Sequence, residues 1–366
     1  MATVRQIARE AGVSIGTVSR ALNKRSGVGE ETRRRILAIA QELSYFPPKH
    51  SPLFTSVTHL GLLVRPLRED MQANPFFSDV YYGVEQTCRA SHVNLSFSSF
   101  DVVDGRIRSL PPLVNDERLS GIILVGALLQ EIVAAVVASA QLPIVLVDNY
   151  LPQCPWDAVM IDNIHGARLS TELLVSRGHR HIAFISGPDH PSIVERRVGY
   201  VEVMRQHNLT PFIITMPELG STEGEMAVVQ VLAQAPETTA IVGSNDMQTI
   251  GALKKLQELG YKVPDDFSLV GFDDITIAPL TTPPITTIHV DRLALGRIAV
   301  QLLLGRIHNP DRPVIKSVVG VSLVERASVS APRVYSLPSI GPDEEAESGQ
   351  TTMEINATNQ SLIASS

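Results

Sequence analysis

At 366 residues the chain exceeds one domain's worth, so two or three domains are expected, and 44% hydrophobic residues supply ample core. Two cysteines, Cys88 and Cys154, exclude a disulfide framework and match no metal spacing, so both read as reduced thiols in buried or half-buried positions. The net charge of −7 is segregated: residues 1–50 carry nine Lys/Arg against four acids, a balance of +5 that leaves −12 for the rest. A basic head on an acidic body points to a polyanion-binding module joined to something that is not one. No charged and then apolar leader opens the chain, and no apolar run approaches the roughly 18 residues a membrane helix needs. A soluble, cytoplasmic (nucleoid-associated) protein is therefore expected, with no membrane partner.

In chain order, Thr3-Val4-Arg5-Gln6 fits a capping box, and Val4, Ile7, Ala8 and Ala11 follow at helical spacing until Gly12 ends the run. Ser14 is placed to cap a second short helix, whose Ile15, Val18 and Leu22 share a face. A third helix is predicted from near Gly29, turning Ile36, Ile39, Ala40 and Leu43 inward. Two short helices joined at a glycine turn over a third describe a helix-turn-helix.

The stretches "VRQIAREAGVSIGTVSRALN" and "GVGEETRRRILAIAQELSYFP" resemble the head of the lactose-repressor (LacI/GalR) family of bacterial transcription regulators. The helix, the turn, "VS-x-x-TVSR-x-LN" and "TR-x-x-I" come in order, and the likeness extends over roughly residues 1–328. It implies that the second helix enters the major groove of double-stranded operator DNA. By position, Ile15, Gly16 and Arg20 then face bases, while Thr3, Ser14, Thr17, Ser19 and Asn23 contact the backbone or cap helices. Ile15 is equally suited to the core beside Val18 and Leu22, and Ser14 and Thr3 to capping alone. Arg20 is the strongest polar reader, because its fork matches guanine O6 and N7.

After this head (residues 1–46) the resemblance implies a hinge over 47–58. Leu53 and Phe54 lie at the place of a minor-groove wedge, but Pro52 departs from the pattern. A proline survives only in a helix's first turn, here with Ser51 as cap, so a shortened or poorly formed hinge helix is predicted.

From residue 59 apolar strands alternate with amphipathic helices. "LGLLV" (60–64), "NLSFSSF" (94–100), "GIILVG" (121–126) and "PIVLVD" (143–148) form one set of buried parallel strands. "HIAFISG" (181–187), "PFIITM" (211–216), "AIVGSN" (240–245) and "FSLVGFDD" (267–274) form a second. The first set includes a helix over 78–91; a helix over 292–307 and a strand over 314–324 would cross back to it. The expected fold is an all-α helix-turn-helix head plus an α/β body of two doubly wound parallel-sheet lobes, like periplasmic binding proteins. The body spans 59–328, with one lobe from 59–162 and 292–324 and the other from 163–291.

Ligands in such folds lie at the carboxyl ends of strands, here between lobes. The resemblance places Phe76, Phe77, Asp148, Asp162, Arg196, Asn245 and Asp273 there. Carboxylates, an amide and a guanidinium around aromatics suit a polyhydroxylated effector, a sugar or sugar phosphate. Bland readings stand beside these: Phe76 and Phe77 as core, Asp162 as a marker of the lobe crossover. Asp246 is expected to cap the following helix, with Thr249 at its third position.

The sequence contains no Walker loop, GxGxxG after a strand or HExxH, and His179 and His181 have no partners at metal spacing. No cofactor, no metal and no catalysis are expected. Residues 331–366 lose periodicity and gain Pro, Ser, Gly and acids, a composition that predicts disorder and lacks the leucine heptad of a tetramer. The reading is a DNA-binding repressor, a homodimer under small-molecule control. A sensor without a regulatory role and a metabolic enzyme are the rivals, and the basic head and the missing catalytic signatures weigh against them.

Overall fold

The computed structural model describes residues 4–22, 28–42, 57, 59–64, 75–103, 106–126, 135–136, 138–139, 142–149 and 156–333. The side chains at 4, 5, 15, 19, 20, 22, 41, 42, 101–103, 106 and 107 are outside that description.

Three helices form the head: α1 (Val4–Ala11), α2 (Ile15–Leu22) and α3 (Glu30–Glu42). Their shared core is small: Ile7, Ala8 and Ala11 from α1, Val18 and Ala21 from α2, and Ile36 and Ala40 from α3. Gly12 takes φ +63, the left-handed conformation that ends α1 at little cost for a residue without Cβ. Ser14 Oγ accepts from the Thr17 amide at 3.1 Å, the N-cap bond its position predicted. Arg33 Nη1 donates to the Ala21 carbonyl at 3.3 Å, tying α3 to the end of α2. The expected capping box at Thr3 and the hinge with Pro52, Leu53 and Phe54 lie outside the described residues, as do Asn23, Cys154 and all of the tail beyond Arg333.

The body contains two parallel sheets. The six-stranded one runs, in spatial order, β13 (Lys316–Val319), β7 (Asp157–Ile161), β6 (Ile144–Val147), β5 (Gly121–Val125), β1 (His59–Val64) and β2 (Asn94–Ser99). The four-stranded one runs β11 (Ser268–Val270), β10 (Ala240–Gly243), β8 (Ile182–Ser186) and β9 (Phe212–Thr215). A short antiparallel pair, β3 (Asp101–Val103) and β4 (Arg106–Ser109), follows β2. Strands β5, β6, β8 and β10 are buried at every position, as parallel strands covered on both faces must be.

Helices α4 (Phe76–Ala90) and α9 (Arg292–His308) cover the larger sheet. On the smaller one, α6 (Pro191–Gln206) and α5 (Asn163–Ser176) pack together, as do α7 (Ser221–Gln234) and α8 (Asp246–Glu258). Cys88, on α4, is buried in the larger core, where burial and then Glu85 push its thiol up to about 11.

The strand expected over 314–324 is two strands, broken at Gly320. Lys316–Val319 joins the larger sheet beside β7, whereas β14 (Val321–Val324) pairs antiparallel with β12 (Thr287–Val290). An apolar run shows that residues are extended, but not that the chain changes partner halfway along.

A buried charge cluster holds this return crossing in place. Asp157 is 1% exposed and accepts from Arg306 Nη2 at 2.9 Å, Arg312 Nη2 at 2.6 Å and the Ile315 amide at 2.7 Å. Burial alone would raise its pKa, but the bonds from Arg306, Ile315 and Arg312 hold the carboxyl below its ordinary value. One carboxylate thus anchors the end of α9, the loop after it and the start of β13 to β7.

Candidate effector cleft and DNA-reading head

Strand β6 ends at Val147, and Asp148 follows with φ +53, 8% exposed. Its Oδ1 accepts from Ser192 Oγ at 2.6 Å, joining the end of the larger sheet to the first turn of α6. One turn on, Arg196 is 4% exposed. Its Nε donates to Asn163 Oδ1 at 2.9 Å, and its Nη1 to the Ser244 carbonyl at 2.6 Å. Nη2 lies 3.2 Å from Asp273 Oδ1, an ion pair by distance that lacks hydrogen-bond alignment. The guanidinium carbon sits 3.6 Å from the centre of the Phe272 ring, so one face of the fork is taken by a cation–π contact.

Asp273 closes the loop after β11 with φ +109 and is buried. Burial pushes its carboxyl up to about 6; Arg196 opposes the rise and Asp148 adds to it. Asp148, Ser192, Arg196, Asn163 and Asp273 therefore form one buried polar cluster that spans elements of both sheets.

The capping role expected of Asp246 belongs to its neighbour. Asn245 is the N-cap of α8: its Oδ1 accepts from the Gln248 amide at 2.8 Å, and its Nδ2 donates to the Leu219 carbonyl at 3.0 Å. Both ends of this amide are engaged in the scaffold. Asp246 is completely buried, with Oδ2 accepting from the Ile275 amide at 2.9 Å and Oδ1 from Thr287 Oγ1 at 2.5 Å. Burial, then the charge of Asp273, push this carboxyl up to about 8. Asp162 is the N-cap of α5, accepting from the His165 amide at 3.3 Å.

The two phenylalanines part company. Phe76 is 3% exposed, inside the larger core, the core position its sequence also allows. Phe77 is half-buried, meets Phe76 edge-on at 5.0 Å and stacks with Tyr81 at 6.4 Å. Gly126, at the end of β5, has φ +95, and a Cβ there would lie 3.4 Å from Phe77 Cζ. Sequence reading missed Ser192, Asn163 and Phe272. Only Ser192 carried a signal, a hydroxyl in the first turn of the helix that bears Arg196.

In the head, Ser14 Oγ is 2.9 Å from Thr17 Oγ1, so these two candidate phosphate contacts also engage each other. Gly16 is exposed and Thr17 half-buried. Ile15, Ser19 and Arg20 lie on α2, with side chains outside the description, and Thr3 is outside the described residues. Among the described residues there is no group of three or more metal-ligating side chains and no helix long and apolar enough to cross a membrane.

Two family models match: "Bacterial regulatory proteins, lacI family" over residues 3–48 and "Periplasmic binding protein-like domain" over 171–329. The ribose operon repressor of Haemophilus influenzae is 30% identical, over 90% of this chain and 99% of its own. The HTH-type transcriptional repressor PurR of Aliivibrio fischeri is 31% identical over the same shares. Among solved structures, a CelR–cellobiose complex is similar at 27% identity and TM-score 0.68, covering 90% of this chain and 100% of its own. The lac repressor dimer bound to operator and the anti-inducer ONPF is similar at 26% identity and TM-score 0.67, covering 90% and 99%. Both sequence relatives are named as repressors. With its helix-turn-helix head and two parallel-sheet lobes, the chain belongs to the lacI family of bacterial regulatory proteins and is a DNA-binding transcriptional regulator.

Proposed function

We propose that the chain represses transcription as a homodimer on a near-palindromic operator, and that a neutral polyhydroxylated effector, a sugar, binds where Asp148, Ser192, Arg196, Asp273 and Phe77 converge. One arrangement carries the effector class: two buried carboxylates, Asp148 and Asp273, and one guanidinium, Arg196, belong to a single polar cluster. Sugar hydroxyls both donate and accept, so they can satisfy carboxylates and guanidinium together. An anion is disfavoured, because the nitrogens of Arg196 already serve Asn163, Ser244 and Asp273, and a phosphate would meet both Asp148 and Asp273. The carbohydrate class also agrees with the cellobiose-bound relative and with the name of the ribose operon repressor. The lobes are proposed to divide at 162 and 291, with effector and DNA sites coupled by about 1–3 kcal/mol in either direction.

Calorimetric titration with D-ribose, cellobiose and D-ribose 5-phosphate tests this. A neutral sugar is expected to bind and the phosphate not to; tight binding of the phosphate alone would reverse the assignment. Arg196→Met is expected to weaken sugar binding about 100-fold or more, because it leaves Asp273 buried without its cation.

Readout in the head is proposed to fall mainly on Arg20, since Gly16 offers no side chain and Ile15 no hydrogen bond. Gly16→Gln is expected to change which operators are selected from randomised half-sites while altering head stability by only about 1 kcal/mol. Identical preferences for both proteins would remove position 16 from the readout. Binding should be sequence-selective and weaken steeply with salt, which separates a regulator from a DNA-indifferent sensor.

A further inference from the structure

Arg292, the first residue of α9, is not among the effector candidates, yet it bridges both halves of the body. Its Nε donates to Asp79 Oδ2 on α4 at 2.8 Å. Its Nη1 donates to the Asp273 carbonyl and, at 3.0 Å, to the Asp274 carbonyl, in the loop that follows β11 of the smaller sheet. The Arg292 side chain is 11% exposed and that of Asp79 42%, so the carbonyl bonds are better screened from water than the bond to Asp79.

Each end of this bridge is anchored in its own half of the body. Helices α4 and α9 touch backbone to backbone: a Cβ on Gly83 would lie 2.4 Å from the Leu293 carbonyl oxygen, and one on Gly296 2.3 Å from that of Val80. The pair therefore moves as one body on the larger sheet, with Asp291 capping α9 at its root. The loop 271–275 is held from its far side by long-range bonds. The Gly271 and Asp273 amides donate to Thr286 and Ile288, and Asp274 accepts from Arg326 Nη2 at 2.5 Å and faces His289 Nδ1 at 2.9 Å.

We propose that Arg292 is an interlobe clasp, a positioning residue that holds the Asp273 loop of the smaller lobe against the α4–α9 pair of the larger one. Separation of the lobes must break its two carbonyl bonds, and any ligand that moves Asp273 moves helix α4 through them. The same α4 begins at Phe76 and carries Phe77, so the clasp links the aromatic and acidic sides of the cleft. Its consequence for effector response rests on the cleft reading above; its test does not.

The test is hydrogen–deuterium exchange on the full chain without ligand, comparing wild type with Arg292→Met, Arg292→Lys and Asp79→Asn. Arg292→Met is expected to speed exchange of the 271–275 amides about tenfold (about 1.4 kcal/mol) while the central strands of both sheets keep their rates. Arg292→Lys, whose single ammonium cannot serve Asp79 and two carbonyls together, is expected to fall between, and Asp79→Asn to loosen the loop less than Arg292→Met. Unchanged exchange at 271–275 in Arg292→Met, or an equal rise in both sheets, would overturn the clasp. Addition of D-ribose or cellobiose to the same proteins separates the two readings. If neither protects wild type, the sugar assignment fails, and the ligand-free exchange still decides the clasp.

Discussion

Asp157→Ala is expected to destabilise the body by about 3–5 kcal/mol, the usual cost of removing one partner from a buried ion cluster. The variant strands Arg306 and Arg312, whose side chains are 14% and 16% exposed, beside the start of β7. It also removes the acceptor of the Ile315 amide, which starts the crossing back to β13. Urea unfolding at neutral pH measures the effect, and a loss below about 1 kcal/mol would show that the cluster is not structural support. The pH dependence has a definite sign. This carboxyl's folded pKa is depressed, so its stabilisation is present above the unfolded value near 4 and is lost as pH falls through the folded one. The variant should therefore gain relative to wild type only in acid.

Asp246→Asn is expected to act in the opposite direction, stabilising the protein by about 2–4 kcal/mol at pH 8. Asp246 is completely buried and has bonds from Thr287 and Ile275 but, among the described residues, no ion-pair partner, and its carboxyl is pushed up to about 8. A folded pKa raised above the unfolded one favours folding fully below about 4, and this is lost as pH rises towards 8. Wild type should thus lose stability across that window, with Asp273, pushed up to about 6, contributing to the lower part. The amide has the shape of the protonated acid, so it can keep an acceptor on Ile275 and place a donor at Thr287 without a proton to lose. Chemical denaturation at a series of pH values would show it: parallel curves for the two proteins between pH 4 and 8 would mean that Asp246 does not titrate there.

The contrast between Asp246 and Asn245 shows where sequence reading stops. Both residues are good caps, adjacent, at the start of the same helix, and local chemistry ranks them about equally. The choice was made by Ile275 and Thr287, which the fold brings to Asp246 from 29 and 41 residues away. Phe76 and Phe77 divide in the same manner: neighbours on a helix point about 100° apart, and only the position of α4 on the sheet decides which one enters the core. The break at Gly320 and the clasp by Arg292 left no trace in spacing or composition, because each depends on partners distant in sequence.

What the chain carried on its face was local and periodic. The turn at Gly12, the cap at Ser14, the apolar faces of the head helices and the buried parallel strands all follow from bonds or burial patterns within a few residues. The motifs of α1 to α3 carried the family. Tertiary structure decided which buried charges are paired: Asp157 with two arginines, Arg196 with Asp273, and Asp246, among the described residues, with no cation. The physical reason is that desolvation and Coulomb energy depend on distances in space, and a sequence lists only distances along the chain.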